Sequence, residues 1–519
     1  MGIYLNPNND QYQELVNSSL MVDKSLLIEK INCRIKTKQK FVCVSRPRRF
    51  GKSTDADMLT AYYSKGCDSH EIFDNLKISE TASYKKHLNQ HNVVHLNMQE
   101  FLSDSDSVNE MLDMLSNEII KELEETYVEL KLSTNLKKCL KAIYMEYKQP
   151  FIFIIDEWDC LFREFKYDKE AQQLYLDYLR NLLKDQSYVG LAYMTGILPI
   201  KKYGTHSALN MFDEISMIEP QEYSAFMGFT EKEVKELCDR YQVEFSKMSE
   251  WYNGYHLVDD VSIYSPRSVT SAIRIKRFNS YWSQTETFEA LQKYIDLNLD
   301  GMKDDIISMI AGDEVKVDTS SFQNDMTTFK SKDDVFTLLI HLGYLGYNSI
   351  KSTVYIPNNE VKGTFITSIK NSNWGIVTSL FKNANDLLEA TWAMDSGKVA
   401  KYIQNSHYET SILQYNDENA LSYTINLAYI TAKEHYTIMR ELPTGKGFAD
   451  IAFIPKDDKP AMIVELKYDK NVDTAISQIK NKNYPNVLEH YLDNLLLVVI
   501  NYDKTTKEHE CYIEKYEQS

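Results

Sequence analysis

A chain of 519 residues exceeds one ordinary hydrophobic core, so about two to four domains are expected. Its 43% hydrophobic and 26% charged residues are those of a folded globular protein and exclude a disordered one. The formal net charge of −17 excludes a uniformly basic nucleic-acid coat, while a local basic groove stays open because charge near a site is what steers a polyanion.

In chain order, "FVCVS" (41–45) reads as a short buried strand, followed by a helix from Ser53 with Met58, Leu59 and Tyr62 on one face. "VVHLNM" (93–98) is a second strand, and Val108, Met111, Leu112, Leu115, Ile119 and Leu123 then recur at helical spacing. "FIFII" (151–155) is fully apolar between Pro150 and acidic residues, the pattern of a buried parallel strand. Residues 169–184 read as helix and "YVGLAYMTG" (188–196) as a further strand. This alternation predicts an α/β fold, a parallel sheet with helices on both faces. From 205 to about 390 the pattern is mainly helical, with "WYNGYHL" (251–257) as a turn and 336–358 as a helix then a hairpin, a small winged-helix-like module. After 390 a helix from Glu418 to Ala432 precedes four β-like runs, "HYTIMREL", "FADIAFIP", "AMIVELKY" and "LLLVVIN". A helix containing Val472, Ala475, Ile476 and Ile479 stands before the last of them.

A loop that holds phosphate points successive backbone N–H groups and a helix N-terminus at the anion. A Lys reaches the terminal phosphates, and a Ser or Thr hydroxyl holds magnesium. Gly51, Lys52 and Ser53 have those identities between a strand and a helix, and Arg49, Phe50 and Thr54 complete the candidate loop. The usual pattern is G-x-x-x-x-G-K-[ST], but Arg46 stands in place of the first Gly and precedes Pro47, which pushes it toward extended backbone. A solvated basic turn is the plainer alternative. Phosphoryl chemistry also needs a carboxylate at the end of a neighbouring buried strand, and often a base for the attacking water. Asp156 follows "FIFII" as the magnesium-side carboxylate and Glu157 as the base; two acids capping the next helix are the alternative. Thr195, ending another strand, offers a hydroxyl to sense the terminal phosphate or position water.

These segments resemble the AAA-ATPase-like proteins of bacteria and archaea. The resemblance rests on "RPRRFGKS", "DKSLLIEKI", "IIDEWD", "MTGILPIKKYGTHSALN" and "WYNGYHL" and covers most of residues 3–280. It implies ATP and Mg2+ as cofactors, and an Arg at position 46 is that family's habit. The polar "TDAD" after Ser53 departs from the aliphatic residues usual there and is expected to weaken the packing of the helix's first turn. Arg46, Arg48 and Arg49 are left to phosphate, an acidic partner or acids of the same domain, with a surface ion-pair cluster as an equal alternative.

Near the C-terminus, "FADIAFIP" and "AMIVELKY" read as a hairpin turning at "KDDKP". Side chains alternate along a strand, so Glu465 and Lys467 share a side, and Asp450 comes opposite them. Two carboxylates and an ammonium are the minimum for metal-assisted phosphodiester hydrolysis. Asp450, Glu465 and the Leu466 carbonyl are the metal ligands of this reading, and Lys467 handles the water. An edge hairpin with a solvated Glu/Lys pair is the alternative. The D-x14-E-x-K pattern resembles the PD-(D/E)XK nuclease superfamily over about 390–519, in particular the nuclease-like domain that follows the AAA-ATPase-like domain in the same proteins. That resemblance implies supporting roles for Gln478 and Tyr484, and more weakly for Glu418 and Glu441. The expected domains are a P-loop domain at 1–280, a mostly helical connector with the winged-helix-like module at 281–389, and a restriction-endonuclease-like α/β domain at 390–519.

The seven cysteines are scattered and never spaced as CxxC, which points to free thiols in a reducing cytosol. The histidines show no ligand spacing, so no zinc is expected. "MGIYLNPNNDQYQ" lacks a signal-peptide pattern, and no apolar run nears the ~18–20 residues that span a bilayer, so a cytoplasmic protein without membrane contact is expected. The function expected is an ATP-binding and hydrolysing protein coupled to a metal-dependent nuclease acting on nucleic acid, DNA foremost. The alternative is an ATP-switched regulatory or assembly protein whose nuclease-like domain binds without cutting. A homo-oligomer is compatible with both.

Overall fold

The computed structural model describes residues 2–200, 209–258, 261–282, 287–323, 326–371, 375–409, 425, 428, 429, 432, 435–443, 448–468, 488–503 and 505–516. The chain divides into two compact units: residues 1–290, 297–302 and 314–364 form the first, and 291–296, 303–313 and 365–519 the second.

In the first unit, β1 (Phe41–Ser45), β2 (Asn92–Asn97), β3 (Phe151–Asp156), β4 (Val189–Gly196) and β5 (Asp213–Ile215) form a parallel sheet in the order β2-β3-β4-β1-β5. Every residue of β1, β3 and β4 is buried, so both faces of the sheet centre are covered, as the continuous apolar runs require. The helix Val108–Thr126 buries the face set by its periodicity, with Ile120 added, and Ser107 caps it by accepting from the Glu110 N–H. Asp168 caps the helix Lys169–Leu183 in the same way, through the Ala171 N–H at 2.9 Å. β5 is an edge strand of three residues, too short to show a period.

Residues 205–364 hold more strand than their pattern indicates. β6 (Phe229–Thr230), β7 (Tyr255–His256) and β8 (Ser262–Tyr264) make one small sheet, so "WYNGYHL" is a helix end running into a strand and not simply a turn. The helix Lys332–Leu342 leads into the hairpin of β10 (Gly346–Asn348) and β11 (Thr353–Tyr355), and β9 (Val315–Lys316) pairs with β11. That is the helix-then-hairpin order expected for 336–358.

The second unit is built on a five-stranded sheet: β12 (Tyr436–Pro443), β13 (Phe448–Pro455), β14 (Ala461–Tyr468), β15 (Leu495–Asp503) and β16 (Glu508–Lys515), in sequence order. Only β14 and β15 run parallel. The four expected runs are strands; β16, "EHECYIEK", is a fifth whose polar residues hide its alternation. Strand alternation splits the core. Ile451, Phe453, Met462, Val464, Leu466, Leu496 and Val498 pack on one face with Ile425, Ala428, Tyr429 and Ala432, while Ala452, Ile463, Leu497 and Val499 pack on the other with Leu488. The helix expected around 472–479 and most of that at 418–432 lie outside the described residues.

The loop after β1 is braced from within. Arg46, only 2% exposed, forms a buried ion pair with Asp55 and donates to the carbonyls of Phe226 at 2.6 Å and Phe50 at 3.2 Å. Of the readings left open for Arg46, the structure gives an acid of the same domain and not a surface cluster, and it corrects the expectation that "TDAD" loosens the helix start, since Asp55 supplies the counter-charge that a buried guanidinium needs. Asp55→Ala is expected to cost about 3–5 kcal/mol by stranding Arg46, and the pair Arg46→Met with Asp55→Leu much less, in urea unfolding. Equal losses for both would contradict the brace.

Candidate functional site

Parallel register sets the first site. Asn97 pairs with Asp156, Val44 with Thr195 and Ser45 with Gly196, while Ile155 pairs with Met194, so four polar strand ends stand in a row at one edge of the sheet. From this edge the loop leaves β1 and enters the helix Lys52–Tyr63 through Gly51, in the left-handed conformation at φ +86°. A Cβ on Gly51 would meet nothing within 4 Å, so the conformation and not crowding calls for glycine here. The first-turn N–H groups of such a helix lack intrahelical partners and face an anion favourably.

A cleft of 1240 Å³ opens over this turn. Arg49, Phe50, Gly51, Lys52, Ser53 and Thr54 all line it, together with Glu157 and Arg163. The loop side chains are partly spent elsewhere: Arg49 donates to the carbonyls of Tyr281 at 2.5 Å and Trp282 at 3.3 Å, and the buried Phe50 ring meets Tyr255 edge-on at 5.3 Å. Lys52 is buried, with Nζ 3.1 Å from the Pro47 carbonyl. Burial lowers its ammonium to about 8, against the pull of Glu157, Asp159 and Asp156.

The acids opposite are held by their neighbours. Asp156 Oδ1 accepts from the Thr195 hydroxyl and from the Glu157 N–H at 2.9 Å. Thr195, read from the sequence as facing phosphate or water, thus orients Asp156. Glu157 turns out of β3 at φ +53°, and Arg163 pairs with its carboxylate. Asp159, fully buried, accepts from the Ile197 and Leu198 N–H groups at 3.1 and 2.9 Å and lies 3.6 Å from Arg163 Nε. Sequence reasoning missed Asp55, Asp159 and Arg163 as parts of the site. The last acid of "DEWD" was a usable signal for Asp159, and the i,i+4 spacing from it was the only trace of Arg163.

In the second unit, Asp450 and Glu465 lie on the strand face that carries Ala452 and Ile463. The Leu466 N–H donates to Asp450 Oδ2 at 2.7 Å, and Lys467 Nζ stands 3.4 Å from Glu465 Oε2. Glu465 is only 2% exposed. Burial, with the Glu465 charge adding, pushes Asp450 up to about 6, against the Leu466 N–H and the Lys467 ammonium. Two crowded carboxylates, with the Asp450 pKa raised, are a donor set that a divalent cation relieves, so the residues fit a hard metal ion. Glu441 lies on β12 with its side chain outside the described atoms; Glu418, Gln478 and Tyr484 lie outside the described residues. Among the described residues, no group of three or more His, Cys, Asp and Glu side chains is placed to share a metal, and no helix is long and apolar enough to cross a membrane.

Residues 9–205 match the family model described as a predicted AAA-ATPase, and residues 417–511 match that of the PD-(D/E)XK nuclease superfamily. The chain carries an AAA-ATPase-like domain and a PD-(D/E)XK nuclease-superfamily domain. A protein of Azotobacter chroococcum, described as an uncharacterized protein in the vnfD 5' region, is 23% identical over 251 residues, 47% of either chain. The chain thus spans about half the length of that curated relative. Among solved structures, a Walker-type ATPase of Pyrococcus abyssi is 13% identical with a TM-score of 0.34, covering 66% of this chain and 94% of its own. The ORC1 protein of Aeropyrum pernix, solved in complex with DNA, is 10% identical with a TM-score of 0.26, covering 69% and 96%. Likenesses at these scores decide nothing about function.

In the AAA-ATPase-like domain, an anion needs the charged form of Lys52. Affinity for ATP is therefore expected to hold up to about pH 7.5 and to weaken above pH 8, approaching about tenfold per unit, with proton uptake on binding. Titration with a fluorescent ATP analogue measures this; a flat profile to about pH 9.5 would contradict it.

Proposed function

We propose that the AAA-ATPase-like domain binds and hydrolyses ATP with magnesium, and that the PD-(D/E)XK domain hydrolyses nucleic-acid phosphodiester bonds, DNA foremost, with a divalent metal. The loop from Arg49 to Thr54 and Glu157 lining one cleft, with Asp156 close enough to act on the Lys52 charge, supports the first part most strongly. Lys52 and the N–H groups from Arg49 to Thr54 take the phosphates. Ser53 and Asp156 would hold the magnesium ion, with Asp156 aimed by Thr195, and Glu157 accepts the proton of the attacking water. In the second domain Asp450, Glu465 and the Leu466 carbonyl would hold the metal ion, and Lys467 orients the water and offsets the developing charge. A bound divalent ion there supplies Lewis acidity and a more acidic water. A cytoplasmic setting and a homo-oligomer belong to the same reading.

Purified protein incubated with plasmid, linear duplex, single strand and RNA, in magnesium or manganese, with and without ATP, tests both parts. Lys52→Ala is expected to abolish ATP turnover, and Lys467→Ala to lower cleavage by about 10²-fold or more while turnover persists. ATP turnover with no cleavage of any substrate in either metal would replace the nuclease reading with that of an ATP-switched assembly protein. Unchanged nucleotide binding in Lys52→Ala would end the ATPase reading.

A further inference from the structure

Glu157 needs a counter-charge that leaves Lys52 available. Its carboxylate sits in the same cleft as Lys52, and both cations acting on it, Lys52 and Arg163, reach into that cleft. Were Lys52 its partner, the ammonium that faces phosphate would be neutralised by the very group that must meet the water. Arg163 removes that conflict. It stands on the short helix Cys160–Glu164 directly after β3, with its side chain 10% exposed, and pairs with Glu157 through Nη2 while Nε stands 3.6 Å from Asp159. Asp159 in turn is pinned by two backbone N–H groups just beyond the end of β4. The chain of contacts therefore runs from β4 through Asp159 and Arg163 to Glu157, and it fixes a carboxylate whose own backbone is in the left-handed region.

We propose that Arg163 is a positioning residue for ATP hydrolysis, acting within the same chain by holding the Glu157 carboxylate in place at the cleft through a direct ion pair, while Lys52 acts on it only through its field. The proposal rests on the ATPase reading above, with Glu157 as the base. Arg163 itself holds no phosphate in this scheme, so its loss slows the reaction without weakening nucleotide binding.

Steady-state ATPase kinetics on the full chain test it, with Arg163→Ala, Arg163→Lys, Glu157→Gln and the double variant Glu157→Gln with Arg163→Ala, and with fluorescent-ATP binding to confirm that each variant folds. Arg163→Ala is expected to lower kcat about 10- to 100-fold with KM and nucleotide affinity within about threefold. Arg163→Lys should regain part of the rate, because it restores charge but not the fork. In the Glu157→Gln background, removing Arg163 should cost nothing more. The proposal is overturned if kcat in Arg163→Ala is unchanged or raised, if affinity falls as far as kcat does, or if the two substitutions add fully. Wild-type protein without ATP turnover, or turnover indifferent to Glu157→Gln, would instead remove the ATPase reading on which it stands.

Discussion

Strand β4 lies between β1 and β3, and because all three run the same way their C-terminal ends stop at one edge of the sheet. Everything proposed for the first unit follows from that alignment. It brings Lys52, on the helix after β1, within the field of the acids after β3, and sets Thr195 where its hydroxyl can reach Asp156. The two groups are about 100 residues apart in sequence, so no local interaction could join them. A parallel sheet does so by construction, since its loops gather at the strand ends.

Burying so many charges at one edge carries a large desolvation cost unless each has a partner. The molecule answers with pairs that divide the work. Arg46 and Asp55 stiffen the loop, Lys24 ties the N-terminal segment to Glu233 at 2.6 Å, and Arg163 serves Glu157 and Asp159. Among the described residues, Lys52 Nζ has only a carbonyl at hydrogen-bond distance and acids further off, which leaves its charge available to the cleft. The second unit solves a different problem with fewer groups. There Asp450 and Glu465 are crowded on one strand face, with the Leu466 N–H and Lys467 as their compensation.

Much of this was legible in the sequence because the decisive signals are local. Five apolar residues before Asp156 fixed the depth of β3, and strict alternation in "AMIVELKY" put Glu465 and Lys467 on one side. The strands that escaped notice, β5 through β9, are two or three residues long and carry no period, and the polar sequence of β16 conceals its one buried face. Side-chain pairing was the least legible layer. "TDAD" read as a packing defect because the partner of Asp55 lies nine residues back, across a turn, and Arg163 has no motif at all. Asp55 is paired across a turn and Arg163 with acids four and six residues back, and neither spacing alone marks an ion pair.

Calorimetric titration of ATP into the full chain, with and without magnesium, on wild type and Asp156→Asn, reaches the central claim most directly. If Asp156 holds the magnesium ion of the same nucleotide whose phosphates Lys52 takes, magnesium should tighten ATP binding by about tenfold or more in wild type and hardly at all in the variant. The same magnesium dependence in both proteins would mean that the acids at the end of β3 do not share a site with the loop after β1.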